Sequence, residues 1–235
     1  MCGRYRLSRR KEFIEEYFAT DPSQSDWNPR YNIAPTQPVL TIRHVGREPV
    51  RELSMMRWGL IPSWAKDPGI GATMINARAE TAASKPAFRD ALKLRRCLIP
   101  ADGFYEWQRI SKGKQPFCFE VGDGDLFAFA GLWDQWKSAN GELVESCSIL
   151  TTTPNSVTID IHNRMPVILR RNDYDLWLDP KTRSLTAISE LLKTFDGSRM
   201  RRYPVSPRVN AVQNDDEDCA IPVQLSEYPI QTSLL

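Results

Sequence analysis

The stretch RRCLIPADGFYEWQR, residues 95–109, carries a strong strand signal within this 235-residue chain. It contains two short runs, RRCLI and FYEWQR, which are rich in β-branched, aromatic or other apolar residues. Between the runs lie Pro100, Asp102 and Gly103, residue types that are typical of turns. The stretch therefore predicts two consecutive β-strands separated by a turn.

Comparable runs recur along the chain, and few helical segments lie between them. Five further strands are predicted at PVLTIRHV (38–45), LSMMRWGL (53–60), PFCFEV (116–121), LFAFAGLW (126–133) and ESCSILTTT (145–153). Helices are predicted at RKEFIEEYF (10–18, capped by Ser8), PNSVTIDIH (154–162), NDYDLWL (172–178, capped by Asn172) and SLTAISELLK (184–193, capped by Ser184). This order favours an α+β fold rich in antiparallel strands over a βαβ repeat. We expect one domain over residues 1–235, with a tail after about residue 213.

Composition excludes several function classes. The balance of 31 Lys+Arg against 29 Asp+Glu, a net charge of +2, does not by itself require a nucleic-acid partner. The first eleven residues, however, contain five basic residues and no acidic one, so the sequence allows a local basic patch near the N-terminus. Five cysteines without a CxxC pair argue against a disulfide framework and against a zinc site. No metal and no cofactor are expected.

No apolar run approaches the roughly 18 residues of a membrane helix, and no apolar segment follows the first basic residues as in a secretory signal. We therefore expect no membrane partner. The expected location is the cytoplasm, in association with the nucleoid if the source is a bacterium.

Cys2 follows the start methionine in MCGRYRLSRR, residues 1–10. Loss of Met1 would give Cys2 a free α-amine with a pKa of about 7.7–8.0 beside a thiol with a pKa of about 8.5. Such a 1,2-aminothiol condenses with an aldehyde to an imine, and the thiol then closes a thiazolidine ring. The alternative from position alone is an inert terminal cysteine.

Three other residues are candidates for chemistry, each with a structural alternative. Glu106 lies among aromatic residues and shares a strand face with Phe104, so burial would raise its pKa and suit it to proton transfer; it could equally be an outward-facing strand glutamate. His162 is a natural proton carrier at neutral pH but could be structural. Asn76 alternates with small residues in MINARAET (74–81), where its amide could hold an amine or an oxyanion, or simply line a polar edge strand.

Other residues suggest contacts with a nucleic acid. Arg78 and Arg164 could each bind a phosphate, or could pair with surface carboxylates. Trp64 and the rigid Pro35 could stack on bases, whereas Trp58 is predicted to belong to the core.

These stretches together resemble the SOS response-associated peptidase (SRAP) family. The resemblance rests on an ordered series: MCGRY, YNIAPTQ, WGLIPSWAKD, INARAET, RRCLIPADGFYEW, FAGLW, TTTPN with IHNRMPVIL, and YPVSPRVN, spanning residues 2 to about 210. It implies a single SRAP-fold domain of strongly curved, barrel-like antiparallel sheets with flanking helices. It also implies binding of single-stranded DNA that contains an abasic site.

The family resemblance also assigns roles to individual residues. Cys2 is the implied nucleophile, with Asn76 positioning it, Glu106 as general acid/base and His162 assisting. The implied DNA contacts are Arg4, Pro35, Trp64, Arg78, Thr151 and Arg164. Ala65 follows Trp64 here, where some relatives have a second tryptophan, so the base-stacking surface is expected to be smaller.

Three functions are compatible with these residues. In the first, the protein crosslinks covalently to abasic sites through Cys2, by way of a Schiff base and a thiazolidine, with some abasic-site lyase activity. In the second, Cys2 and His162 form a cysteine peptidase, which includes self-removal of Met1. In the third, the chain is a non-covalent module for single-stranded DNA. The resemblance favours the first, and we expect a monomer.

Overall fold

Short strands dominate the computed structural model, which describes residues 2–44, 50–111 and 113–225. The strands of this part are β1 (Tyr5–Leu7), β2 (Arg30–Ile33), β3 (Pro38–His44), β4 (Arg51–Trp58), β5 (Asn76–Arg78), β6 (Arg96–Ala101), β7 (Gly103–Ile110), β8 (Gly113–Val121), β9 (Phe127–Lys137), β10 (Leu143–Thr152), β11 (Met165–Pro166), β12 (Ile168–Leu169) and β13 (Met200–Pro204). The α-helices are α1 (Lys11–Phe18), α2 (Ala79–Ala82), α3 (Arg89–Leu94), α4 (Tyr174–Leu178) and α5 (Leu185–Leu191). None of the helices described is both long enough and apolar enough to cross a membrane.

Five strands close into a barrel in the order β10, β4, β3, β6, β9 and back to β10. The pairings are antiparallel except between β10 and β4, which run parallel. Strand β10 also pairs in parallel with β5, so that Asn76 lies opposite Ile149 and Arg78 opposite Thr151. Because the ring is closed, β10 holds β5 in a fixed register beside the barrel.

A second, fully antiparallel sheet has the strand order β13, β8, β7, β1, β2. Strand β1 lies against β7 with Tyr5 opposite Phe104, and the Tyr105 N–H donates to the Arg4 carbonyl at 3.0 Å. Since the pairing is antiparallel, the residues before Tyr5 extend along β7 in the direction of Glu106.

Aromatic rings fill the space between the barrel and the second sheet. Phe104 stacks on Phe119 with a centroid distance of 5.0 Å and meets the barrel residue Phe129 edge-on at 6.1 Å. Tyr5 packs edge-on against both Trp58 and Phe129. The two sheets therefore share one apolar core, to which Trp58 belongs as predicted.

Asp102 is the one residue between β6 of the barrel and β7 of the second sheet, and it is fully buried. Its carboxylate accepts hydrogen bonds from the Ser8 N–H and hydroxyl, both at 2.7 Å, and from Arg6 Nε at 3.0 Å. A Cβ on the next residue, Gly103, would lie 2.8 Å from Arg6 Nε and would displace that side chain from Asp102. Asp102 thus ties the end of β1 to the junction of the two sheets.

The α+β prediction and all seven predicted strands are confirmed, as is the cap on α5, where Ser184 Oγ accepts from the Ala187 N–H.

Three helix predictions are wrong in detail. PNSVTIDIH forms turns instead of a helix, because Asn155 Oδ1 accepts from the Val157 and Thr158 N–H groups and holds a local turn. Ser8 caps no helix because Asp102 engages it. Asn172 lies in a 3-10 turn before α4.

The ordered fold continues past residue 213, where the sequence suggested a tail. Asp215 accepts from the backbone N–H groups of Tyr31 and Asn32 and pairs with the Arg30 guanidinium. Cys219 is fully buried. This segment, up to residue 225, therefore covers the outer edge strand β2 of the second sheet.

Replacing Asp102 with alanine is expected to lower the free energy of unfolding by about 3–5 kcal/mol, because the Arg6 guanidinium and two Ser8 donors lose their buried acceptor. Urea unfolding monitored by tryptophan fluorescence measures the change. Asp123→Ala is the matched control: Asp123 is exposed, and loss of its ion pair with Arg201 should cost no more than about 0.5 kcal/mol. Equal losses in the two variants would contradict this role for Asp102.

Candidate active site around Cys2

Cys2 is positioned by β5 as well as by β1. The Asn76 side-chain amide, at the start of β5, donates to the Cys2 carbonyl oxygen at 2.8 Å. Asn76 Oδ1 is buried and accepts no hydrogen bond from the described residues. Asn76 therefore fixes the backbone of Cys2 and keeps one acceptor available for an incoming group.

The Cys2 thiol is fully buried, with Sγ 3.9 Å from the Arg4 carbonyl oxygen. Burial raises the pKa of this thiol well above its usual range, and the nearby Glu106 carboxylate adds to the effect. The thiol is therefore protonated at neutral pH, unlike a thiolate nucleophile.

Glu106 lies on the face of β7 that it shares with Phe104, and its side chain is only 4% exposed. Burial raises the pKa of its carboxyl to about 7. Of the two alternatives that the sequence left open, the structure therefore has the buried carboxyl. A carboxyl with this pKa can both give and take a proton near neutral pH.

His162 and Glu106 line the same cleft, which has a volume of about 610 Å³. Its Nδ1 accepts a hydrogen bond from the Arg164 backbone N–H at 3.0 Å, which places the ring proton of the neutral form on Nε2. Partial burial lowers the pKa of the imidazole. The ring is thus neutral at pH 7 and held in one tautomer.

Arg164 links this histidine to β10 and α2. Its guanidinium makes a bidentate pair with Glu80, at 2.7 and 2.9 Å, and approaches Thr151 Oγ1 at 3.3 Å. The sequence placed Glu80 in an extended run with Asn76 and Arg78, but the strand ends at Arg78 and Glu80 lies in α2. This turn of the chain directs Glu80 toward Arg164.

Arg4 is held on the other side of Cys2. Its Nη1 donates to Asn32 Oδ1 and to the Val209 carbonyl, both at 2.7 Å, and its guanidinium lies over the Trp107 ring at 5.8 Å. Asn32 is fully buried. Arg4 is therefore fixed in orientation and only half-buried.

The remaining predicted DNA contacts lie on the surface. Arg78 is exposed at the end of β5, next to Thr151. Trp64 is 59% exposed in a turn anchored by a hydrogen bond from the Ser63 N–H to Asp134. Pro35 is half-buried in the turn after β2. Hydrogen bonds join Cys2 to Asn76, and Arg164 to His162 and Thr151. No hydrogen bond among the described residues joins Trp64 or Pro35 to this set.

Two residues of the site were not predicted from the sequence. Asn32 holds Arg4, and Glu80 holds Arg164. The only available signal for Asn32 was a polar residue within the otherwise apolar strand YNI. No described group of three or more His, Cys, Asp or Glu side chains is arranged to hold a metal ion.

A family model described as SOS response associated peptidase (SRAP) matches residues 1–212 of the chain. The chain belongs to the SRAP family. Similarity to curated relatives extends over most of its length: it is 44% identical over 221 residues to the Bacillus subtilis protein named abasic site processing protein YoqW, covering 93% of this chain and 98% of the relative. The chicken protein named abasic site processing protein HMCES is 33% identical and is covered over 68% of its length.

Solved structures share the SRAP fold. A Bacteroides thetaiotaomicron protein matches with a TM-score of 0.87 at 28% identity, covering 95% of this chain and all of the other. A Bordetella bronchiseptica protein matches with a TM-score of 0.75 at 30% identity, covering 87% of this chain. The fold described above is therefore the fold of the family.

The raised pKa of Glu106 has a consequence for the stability of this SRAP protein. Between the unfolded pKa near 4.5 and the folded pKa of about 7, the folded state binds more protons, so stability falls as pH rises through this window. The unfolding free energy of Glu106→Gln minus that of wild type should therefore increase by about 3 kcal/mol between pH 5 and pH 8. Urea unfolding across this range measures it. The exposed control Glu142→Gln should show no such increase, and a flat difference for Glu106→Gln would contradict the assignment.

Proposed function

We propose that this protein processes abasic sites in DNA by forming a covalent bond to them through Cys2. The observation that carries the proposal is the hydrogen bond from Asn76 to the Cys2 carbonyl, with the buried Glu106 carboxyl as neighbour. The names of relatives up to 44% identical support the same substrate class. The partner is single-stranded DNA that contains an abasic site.

The first chemical step needs a free amine, so it follows removal of Met1. The Cys2 amine attacks C1′ of the open-chain aldehyde and forms a carbinolamine, which loses water to give a Schiff base. Glu106, with a pKa of about 7, protonates the departing hydroxyl and takes a proton from the nitrogen. Asn76 Oδ1 accepts a hydrogen bond from the amine and orients its lone pair.

The second step closes the ring. The Cys2 sulfur adds to the imine carbon while the thiol proton passes, through Glu106, to the imine nitrogen. The product is a thiazolidine, and the only molecule released over both steps is water. Neutral His162, which lines the same cleft as Glu106, assists the opening of the sugar hemiacetal that precedes them.

The protonated thiol favours this order of events over a cysteine peptidase. A peptidase nucleophile needs a lowered thiol pKa, whereas burial raises that of Cys2. In an amine-first mechanism the thiol stays neutral until an electrophilic imine forms beside it. Self-removal of Met1 and abasic-site lyase activity, by β-elimination from the Schiff base, remain secondary proposals.

The three arginines that neighbour Cys2, Asn76 and His162 would hold the DNA backbone. Arg4, Arg78 and Arg164 bind phosphates flanking the lesion, while Trp64 and Pro35 shape the path of the strand. Thr151, which was predicted as a DNA contact, is fully buried and acts through its contact with Arg164. Arg164 already holds a carboxylate in the bidentate geometry that suits a phosphate. A DNA phosphate that binds here therefore replaces Glu80 as the partner of Arg164.

Incubation with single-stranded DNA containing one abasic site should give a slowly migrating band on a denaturing gel, with a mass increase equal to the DNA less one water. Cys2→Ala should give no thiazolidine. Cys2→Ser, like Cys2→Ala, keeps the α-amine, so the adduct of either variant should appear only when borohydride reduces the Schiff base. In each sample, intact mass spectrometry confirms Met1 removal as a mass lower than that of the unprocessed chain by one methionine residue.

A stable adduct in Cys2→Ala without reduction would overturn the crosslinking mechanism. Turnover of peptides in the absence of DNA would instead support the peptidase. Equal affinity for intact and abasic strands with no covalent product would identify a non-covalent single-stranded DNA module.

Glu80→Gln should increase the affinity for intact single-stranded DNA about two- to fivefold, because phosphate no longer competes with a carboxylate for Arg164. Fluorescence anisotropy with a labelled oligonucleotide measures the affinity. Glu190→Gln removes an equal charge from the exposed ion pair with Lys193 and serves as the control, for which no change is expected. Weaker binding by Glu80→Gln would show that Glu80 supports Arg164 instead of competing with DNA.

A further inference from the structure

A second cavity lies away from the cleft of Glu106 and His162 and has no lining residue in common with it. Its volume is about 310 Å³, near the lower end of the roughly 300–1,000 Å³ typical of ligand sites. Four arginines line it: Arg9, Arg170, Arg171 and Arg199. We call it the arginine pocket.

The four arginines reach the pocket from three separate parts of the chain. Arg9 follows β1, Arg170 and Arg171 follow β12, and Arg199 precedes β13. One acidic side chain, Asp125, lines the same cavity. Like charges from distant segments repel each other unless something of opposite charge lies between them, so this arrangement has an electrostatic cost in the absence of an anion.

Most of this positive charge is not neutralised within the described part of the protein. Arg9 alone among the four is in an ion pair there, at 3.8 Å from Asp102. Arg170, Arg171 and Arg199 are exposed. The Asp196 carboxylate is near enough for its charge to interact with Arg170 and Arg199, but among the described residues it forms no ion pair with them within 4 Å. The N–H donors of these exposed guanidinium groups are therefore available to bind an anion.

Aromatic rings orient three of these guanidinium groups. Arg171 lies over Tyr17 at 4.5 Å and also donates to the Tyr17 carbonyl at 3.0 Å. Arg199 lies over Phe195 at 5.3 Å, and Arg9 lies over Phe13 at 5.8 Å. Stacking on a ring leaves the edge of the guanidinium, with its N–H donors, directed toward a ligand.

The walls and floor of the pocket are apolar. Phe13 is 49% exposed, which is high for a phenylalanine, while Leu126, Phe127 and Tyr174 are buried beneath. A site with forked donors at its rim and aromatic faces within reach suits a phosphate joined to a planar ring.

We propose that the arginine pocket binds a nucleotide unit, with its phosphate on the arginines and its base against the exposed ring of Phe13. The unit is either a free nucleotide or one residue of a nucleic-acid strand. This proposal does not depend on abasic-site crosslinking, because it involves none of the residues of that site.

Isothermal titration calorimetry with thymidine 5′-monophosphate tests the proposal. The variant Arg170→Gln/Arg199→Gln changes two exposed side chains and should bind at least about tenfold more weakly, because two charge-assisted hydrogen bonds are lost. Arg89→Gln/Arg183→Gln removes the same charge from exposed positions elsewhere and should bind like wild type. Inorganic phosphate should compete, and thymidine without a phosphate should not.

A second binding measurement distinguishes a free nucleotide from one residue of a nucleic-acid strand. If the affinity for an intact thymidine oligonucleotide also falls in the arginine variant, the pocket holds part of a strand; if only mononucleotide binding falls, it holds a free nucleotide. The proposal is overturned if wild type does not bind thymidine 5′-monophosphate, or if the pocket variant and the control lose equal affinity. Equal competition by a short poly-glutamate peptide would assign the pocket to acidic peptides and also overturn it.

Discussion

The carboxylate of Asp102 is the contact on which the rest of this structure depends. It lies at the single-residue junction between barrel and second sheet, and it accepts three hydrogen bonds from Arg6 and Ser8. Those bonds fix β1 against β7, and the register of β1 determines where Cys2 lies relative to Glu106. A buried carboxylate thus sets the geometry of the reactive end of the chain although it takes no part in the chemistry.

Burial also controls the charge of the site. It raises the pKa values of Cys2 and Glu106 and lowers that of His162, so each of these groups favours its uncharged form. The cationic groups, Arg4, Arg78 and Arg164, lie at its margin. The reacting groups can therefore exchange protons in a nearly neutral interior while the rim attracts a polyanion. This separation suits a reaction in which an amine and an aldehyde combine and release only water.

The sequence predicted the long strands well, because their apolar and aromatic runs are continuous, but it missed β1, β2 and β13, whose charged residues interrupt the pattern. The sequence did not decide whether Glu106 is buried. Strand alternation shows which face of β7 the side chain is on, but not what packs against that face. The segment before His162 was predicted as a helix but forms turns, because Asn155 Oδ1 accepts hydrogen bonds from the Val157 and Thr158 N–H groups. That side-chain geometry does not show in the sequence pattern. The partners of Arg4 and Arg164 are 28 and 84 residues away, beyond the range of local patterns.

The pairing of β1 with β7 joins residues that are about 100 positions apart in the chain. During synthesis at roughly 5–20 residues per second, β1 would wait about 5–20 s before its partner strand exists. Throughout that interval β1 can pair only with β2, and because β7 does not yet exist the first residues remain accessible to processing enzymes. Because β7 is synthesised well after β1, folding of this sheet is delayed. The beginning of the protein is therefore open for maturation before folding encloses Cys2.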